Sequence, residues 1–137
     1  MDYLVAHGGL DMPSNPETLQ AIEDACVAGI TQSGSATDRV VAALETFEND
    51  PLFNAGYGSV LNHVGGVETD ALIFDGKSGR IAGVGSVPKL RHPSRVAAAL
   101  LTERDFLLLC GSGARKFADK IGEPQEDLRT HEQIRAW

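Results

Sequence analysis

Apolar positions along this chain switch between short strand-like runs and helical spacing, and each change of period marks a new element. Tyr3 to Ala6 is a short apolar run that predicts a strand leading into His7-Gly8-Gly9. Asn15-Pro16-Glu17 carries a helix start: a capping Asn, Pro at the first helical position and an acid in the first turn. Leu19, Ile22, Cys26 and Ile30 then predict its inward face. After Gly34, Ser35 with Asp38 three residues on predicts the cap of a second helix, with Val40, Val41, Leu44 and Phe47 as its apolar stripe. Asp50-Pro51 stops it, and residues 50–58 read as a loop rich in Gly and Pro.

Beyond the loop, Ser59–Leu61, Val67–Phe74 and Arg80–Val87 predict three strands of an antiparallel meander, with turns at Gly65-Gly66 and at Gly76-Lys77-Ser78-Gly79. Pro93 opens a helix with Val96, Ala97, Leu100 and Leu101 inward; Phe106–Cys110 predicts an apolar strand, and Ser112–Ile121 a helix ended by Gly122. Glu123–Trp137 is polar and weakly periodic, with Thr130 and Gln133 spaced as a helix cap. Helices and strands come in blocks, which predicts an α+β fold with helices packed on a sheet, in one domain over residues 1–137. The long apolar runs of the meander predict strands covered on both faces.

Composition narrows this picture. The chain is 42% apolar and 23% charged, as soluble globular proteins are. The longest apolar run, Phe106–Cys110, is too short to span a membrane. No basic segment precedes an apolar core at the start, so no secretory signal is expected and a cytoplasmic location is. Cys26 and Cys110 lie inside apolar stretches and read as buried free thiols of a reducing compartment. The formal net charge of −7, with scattered basic residues, argues against nucleic acid as a partner.

The loop Asp50-Pro51-Leu52-Phe53-Asn54-Ala55-Gly56-Tyr57-Gly58 is the most unusual segment, too apolar for a simple solvated connector. Its glycines let the backbone turn several carbonyl oxygens toward one point, as hard cations require. A tight loop packed under the sheet without an ion is the alternative, and on residue types alone the commoner outcome. Other candidates are weaker. His7 has no Ser or Cys elbow to serve and reads as a hydrogen-bonded structural residue. Asp70 and Asp75 are an odd number of positions apart, hence on opposite faces of one strand, and cannot converge on one glycosidic bond. Asp70 shares a face with Leu72 and Phe74 and reads as a buried carboxylate accepting loop N–H groups. Cys110-Gly111-Ser112-Gly113-Ala114 looks like a phosphate-binding turn, but Lys116 stands where a dinucleotide fingerprint needs its third glycine.

His7-Gly8-Gly9, the 50–58 segment, Val67-Glu68-Thr69-Asp70-Ala71 running to Phe74-Asp75-Gly76, and Leu109-Cys110-Gly111-Ser112-Gly113-Ala114 together resemble the plant-type asparaginase/isoaspartyl peptidase family of N-terminal-nucleophile (Ntn) hydrolases. The resemblance covers nearly the whole chain and is most specific at residues 50–58. It implies a four-layer αββα sandwich made as a precursor that cleaves itself. Cleavage frees a Thr at the start of a β subunit, and that Thr is both nucleophile and, through its α-amino group, base. The substrates implied are L-asparagine and β-aspartyl dipeptides, and the assembly an (αβ)2 dimer of heterodimers.

Carried over by residue, the resemblance implies a sodium loop ligated by the main-chain carbonyls of Phe47, Glu48, Asp50, Phe53, Ala55 and Tyr57, which reverses the preference for an empty loop. It implies that Asn54 orients the nucleophile, and that Gly8 and Gly9 lie close to it. Leu10-Asp11 depart from the small residues the family has there. None of Thr18, Thr31, Thr37, Thr46, Thr69, Thr102 and Thr130 is followed by a small apolar residue and Gly-Ala-Val, so the chain is expected to be the α subunit, ending before the cleavage site. An apolar sheet face and edge should then stand exposed unless a β subunit covers them. A glycosylasparaginase or Taspase-like subunit, and a stand-alone small-ligand or nucleotide-binding α/β module, are the alternatives.

Overall fold

A computed structural model describes residues 2–10 and 12–137. Asp11, half of the Leu10-Asp11 departure, lies outside the described residues. The elements are α1 (Pro16–Thr31), α2 (Ala36–Asn49), β1 (Glu68–Asp75), β2 (Arg80–Pro88), α3 (Pro93–Leu100), β3 (Leu108–Cys110), α4 (Gly111–Lys120) and α5 (His131–Ala136). Among the described residues no helix is long and apolar enough to cross a membrane. The architecture is a mixed α+β one with a small sheet and helices.

The strands lie in the order β1-β2-β3, with β1 and β2 antiparallel and β2 and β3 parallel. Two predicted strands are absent. The 3–6 segment belongs to no strand, since apolar character supplies propensity but not a neighbour to pair with. Residues 59–61 also stay outside the sheet: the Asn62 side chain accepts the N–H groups of Val64 and Gly66, which closes a local turn in place of a hairpin. The meander is therefore one hairpin plus a parallel third strand.

Ile73, Ala82, Val84 and Val87 on one face of the hairpin pack against Val96, Ala97 and Leu100 of α3 and Ala114 and Ala118 of α4. The other face is bare, contrary to the expectation of cover on both sides: Leu72 is 65% and Phe74 64% exposed, with Ile81 and Leu108 beside them. Gly83 sits among them, and a Cβ there would come within 2.9 Å of Leu72 and 3.4 Å of Leu108. Asp70 and Cys110 also lie exposed, correcting both burial expectations. Where Asp70 stands alone on β1, Gly85 and Ser86 stand opposite on β2. This bulge is held by the Asp70 carboxylate, which accepts the Ser86 N–H at 2.7 Å, with Ser86 at φ 50°.

α1 and α2 form an antiparallel pair whose contact face differs from the predicted stripe. Thr18, Ala25 and Gly29 are buried on α1, whereas Leu19 and Ile30 are exposed. At Gly29 the helices approach so closely that a Cβ would lie 2.8 Å from the Arg39 carbonyl oxygen and 3.0 Å from Ala43. Small residues set this contact, so large apolar ones fall outside it. On α2, likewise, Ala43, Phe47 and Glu48 are buried and Val40 is exposed.

Candidate active site

The C-terminal end of α2 runs directly into the 50–58 loop, and the loop folds back on that helix through its own backbone. Asp50 N–H donates to the Phe47 carbonyl at 3.2 Å, Phe53 N–H to the Asp50 carbonyl at 3.1 Å, and Tyr57 N–H to the Glu48 carbonyl at 2.9 Å. The Asp50 carboxylate accepts the Leu52 N–H at 3.0 Å, closing the first turn. Phe53 is buried and its ring packs on Phe47, centroids 4.5 Å apart. Together with Ala25 they form a small second core.

Gly56 is the point of closest approach. A Cβ there would overlap the Glu48 carbonyl oxygen and come within 2.5 Å of that of Arg91. Gly58, at φ 83°, lies against Pro51. Asn54 spans the fold of the loop: its Oδ1 accepts the Val60 N–H at 3.1 Å. That donor identifies the oxygen of the amide, and the Nδ2 group has no partner among the described residues.

His7, Gly8 and Gly9 come up against the same loop. A Cβ on Gly8 would meet the Phe53 ring at 2.8 Å, so only glycine lets the chain pass there. Gly9 has φ 109°, and its N–H donates to His7 Nδ1 at 3.1 Å. His7 thus holds its own turn. An open cleft of about 850 Å³ is lined by His7, Gly8, Gly9, Phe47, Glu48, Phe53, Asn54, Ala55 and Asp70. Asp50 and Tyr57 do not line it; Tyr57 lies under the Arg91 guanidinium, 5.1 Å from the ring centroid.

Glu48 is the buried charge of the site, only 4% exposed. Burial pushes its carboxyl up to about 7, against the hydrogen bonds of Ser94 that favour the charged form. Ser94 donates its N–H to Oε1 and its hydroxyl to Oε2, each at 2.9 Å. Ser94 is a partner that sequence reasoning missed. The available signal was His92, a poor cap preceding Pro93, which left the start of α3 in need of an acceptor from elsewhere. Beside it, the guanidinium of Arg95 forks onto Glu45 at 2.6 Å and holds that carboxyl below its usual range.

Glu48 and Arg91 bring carbonyl oxygens so close about Gly56 that no side chain is admitted there. Among the described residues no three His, Cys, Asp or Glu side chains come together to hold a metal, so such a site would rest on the main chain.

A family model described as asparaginase matches residues 9–137. The plant-type L-asparaginase of Pyrococcus abyssi is 36% identical over 143 residues, covering all of this chain and 47% of the relative. The isoaspartyl peptidase/L-asparaginase of Mus musculus is 40% identical over 129 residues, 89% of this chain and 40% of the relative. A plant-type L-asparaginase of Pyrobaculum calidifontis is also 40% identical, over 89% of this chain and 43% of its own length. The chain spans less than half the length of the curated relatives it matches. With a family match over nearly its whole length, and with its loop, glycines and Asn54 gathered on one cleft, the chain belongs to the asparaginase family.

Proposed function

We propose that this chain is the α half of a threonine-nucleophile amidohydrolase acting on L-asparagine, on β-aspartyl dipeptides, or on both. One observation carries the reading: Asn54 lines the cleft with Gly8 and Gly9, its oxygen taken up by Val60 and its two amide protons left to donate. A donor fixed by its own carbonyl in this way suits the task of holding a threonine hydroxyl. Gly9, with only Met12 near its missing side chain, leaves room for that residue at the cleft wall, and Gly8 lets the chain pass the Phe53 ring beside it.

The threonine belongs to a β subunit from the same precursor. Its α-amino group, with a pKa of about 8, takes the hydroxyl proton as the oxygen attacks the side-chain amide carbon. The amine leaves as ammonia or as the second amino acid, and water then releases aspartate from the ester. In this chain Asn54 orients, the glycines admit, and the loop keeps Asn54 in place. The carbonyls of Phe47, Glu48, Asp50, Phe53, Ala55 and Tyr57 would hold a sodium ion whose charge fixes the curvature of the loop.

The bare sheet face of Leu72, Phe74 and Ile81 supports a second sheet packing there, which would complete the αββα sandwich and seat the partner in an (αβ)2 assembly. Unpaired Cys26 and Cys110 suit a cytoplasmic setting. The test uses the full-length protein. Intact mass and N-terminal sequencing should reveal a second polypeptide beginning with Thr, and the protein should release ammonia from asparagine or aspartate from a β-aspartyl dipeptide. Absence of both hydrolyses overturns the proposal.

A further inference from the structure

We infer that the segment Glu123–Arg129, beyond α4, is a brace for the 50–58 loop, and that Arg91, Glu126 and Leu128 are positioning residues for Asn54. This rests on the reading of Asn54 as the group that orients the nucleophile. Two separate links join brace and loop. The Leu128 carbonyl accepts the Gly58 N–H at 2.9 Å, and the Leu128 side chain is 1% exposed. Glu126 holds the Arg91 guanidinium at 2.7 Å, and that guanidinium lies over Tyr57.

The brace is itself anchored away from the loop. Glu126 N–H donates to the Lys89 carbonyl at 3.1 Å. Buried Arg115 donates to the carbonyls of Lys89, at 3.2 Å, and Glu123, at 2.8 Å, tying α4, the segment after β2 and the start of the brace together. Tyr57 and Gly58 lie between Asn54 and Val60, the two ends of the hydrogen bond that sets the Asn54 amide. A brace that fixes Tyr57 and Gly58 therefore fixes the segment on which the amide turns. Without it the Tyr57–Gly58 backbone keeps the Tyr57–Glu48 hydrogen bond to α2 but loses its tie to the far side.

Leu128→Ala and Glu126→Gln in the full-length protein test this, read by amide hydrogen exchange and by steady-state kinetics. In both variants exchange at Tyr57 and Gly58 should quicken by about tenfold while α1 keeps its protection. The kcat for amide hydrolysis should fall by about tenfold with KM within about twofold, because the loss is one of alignment. Leu128→Met should restore both, and Arg129→Ala, which removes only the exposed pair with Asp127, should change neither. Unchanged exchange at 57–58, or α1 quickening equally, overturns the brace. Should Leu128→Ala fail to fold, Glu126→Gln is judged by the same criteria. A wild type that hydrolyses neither substrate while exchange still responds sinks the hydrolase reading and leaves the brace standing.

Discussion

Glu48 and Ser94, 46 positions apart, join the end of α2 to the start of α3 through paired hydrogen bonds of 2.9 Å. The Glu48 carboxyl is raised from 4.5 to about 7 by burial. The folded state therefore holds its proton over a range in which the unfolded state has lost it. The stabilisation is complete below about pH 4.5 and disappears as pH rises through about 7. Glu48→Gln cannot ionise. In sodium-free buffer its stability relative to wild type should improve by about 2 kcal/mol between pH 5 and pH 8. Urea titrations of both proteins at the two pH values measure this, and a constant difference would refute it.

Gly56→Ala should be severe. The added methyl would overlap the Glu48 carbonyl oxygen, which is main chain and cannot swing aside. A destabilisation of about 2 kcal/mol or more is expected, with hydrolysis lost. Thermal melting and ammonia release check it.

Asn54→Ala and Asn54→Asp separate two roles. Alanine removes the acceptor for Val60 and the amide donors together, and should cost about 1 kcal/mol of stability. Aspartate keeps the acceptor but loses the donors. If the donors orient the nucleophile, both variants should lose activity by about a hundredfold, while only alanine loses the stability. Equal activity of the aspartate variant and wild type would assign Asn54 to loop support alone.

Exchange of sodium chloride for choline chloride at equal ionic strength tests the carbonyl-lined loop. Sodium at about a hundred times its dissociation constant would stabilise by about 2.7 kcal/mol and raise the melting temperature. A melting curve indifferent to the cation would remove sodium from the mechanism.

Local features were legible in the sequence, and pairings across the chain were not. Asn15 caps α1 by accepting the Thr18 N–H at 2.8 Å, Ser35 and Asp38 form the expected capping box, and Thr130 accepts the Gln133 N–H at 3.2 Å. Each needs only residues three apart. The inward face of α1 was misread because spacing of large residues does not reveal that Gly29 and Ala43 bring two backbones together. The parallel partnership of β2 with β3, and the Glu48–Ser94 link, join distant segments and leave no periodic mark. At the site, glycines and prolines marked residues 50–58 as a special loop, but only the family resemblance singled out Asn54. Asp70 accepts an N–H from Ser86 within strand β2 and not from a loop, and its exposure depends on a face that nothing among the described residues covers.

If the proposed second sheet covers it, that exposed face of Leu72, Phe74, Ile81 and Leu108 also sets a schedule for synthesis. Both strands of the β1–β2 hairpin leave the ribosome before any later sheet of a longer polypeptide is translated. At about 5–20 residues per second, a following segment as long as this chain takes on the order of ten seconds to make. For that interval such a nascent protein would present a sticky apolar face to its neighbours on the polysome. Yield of soluble protein should then be governed by crowding among nascent chains and by chaperone supply during those seconds.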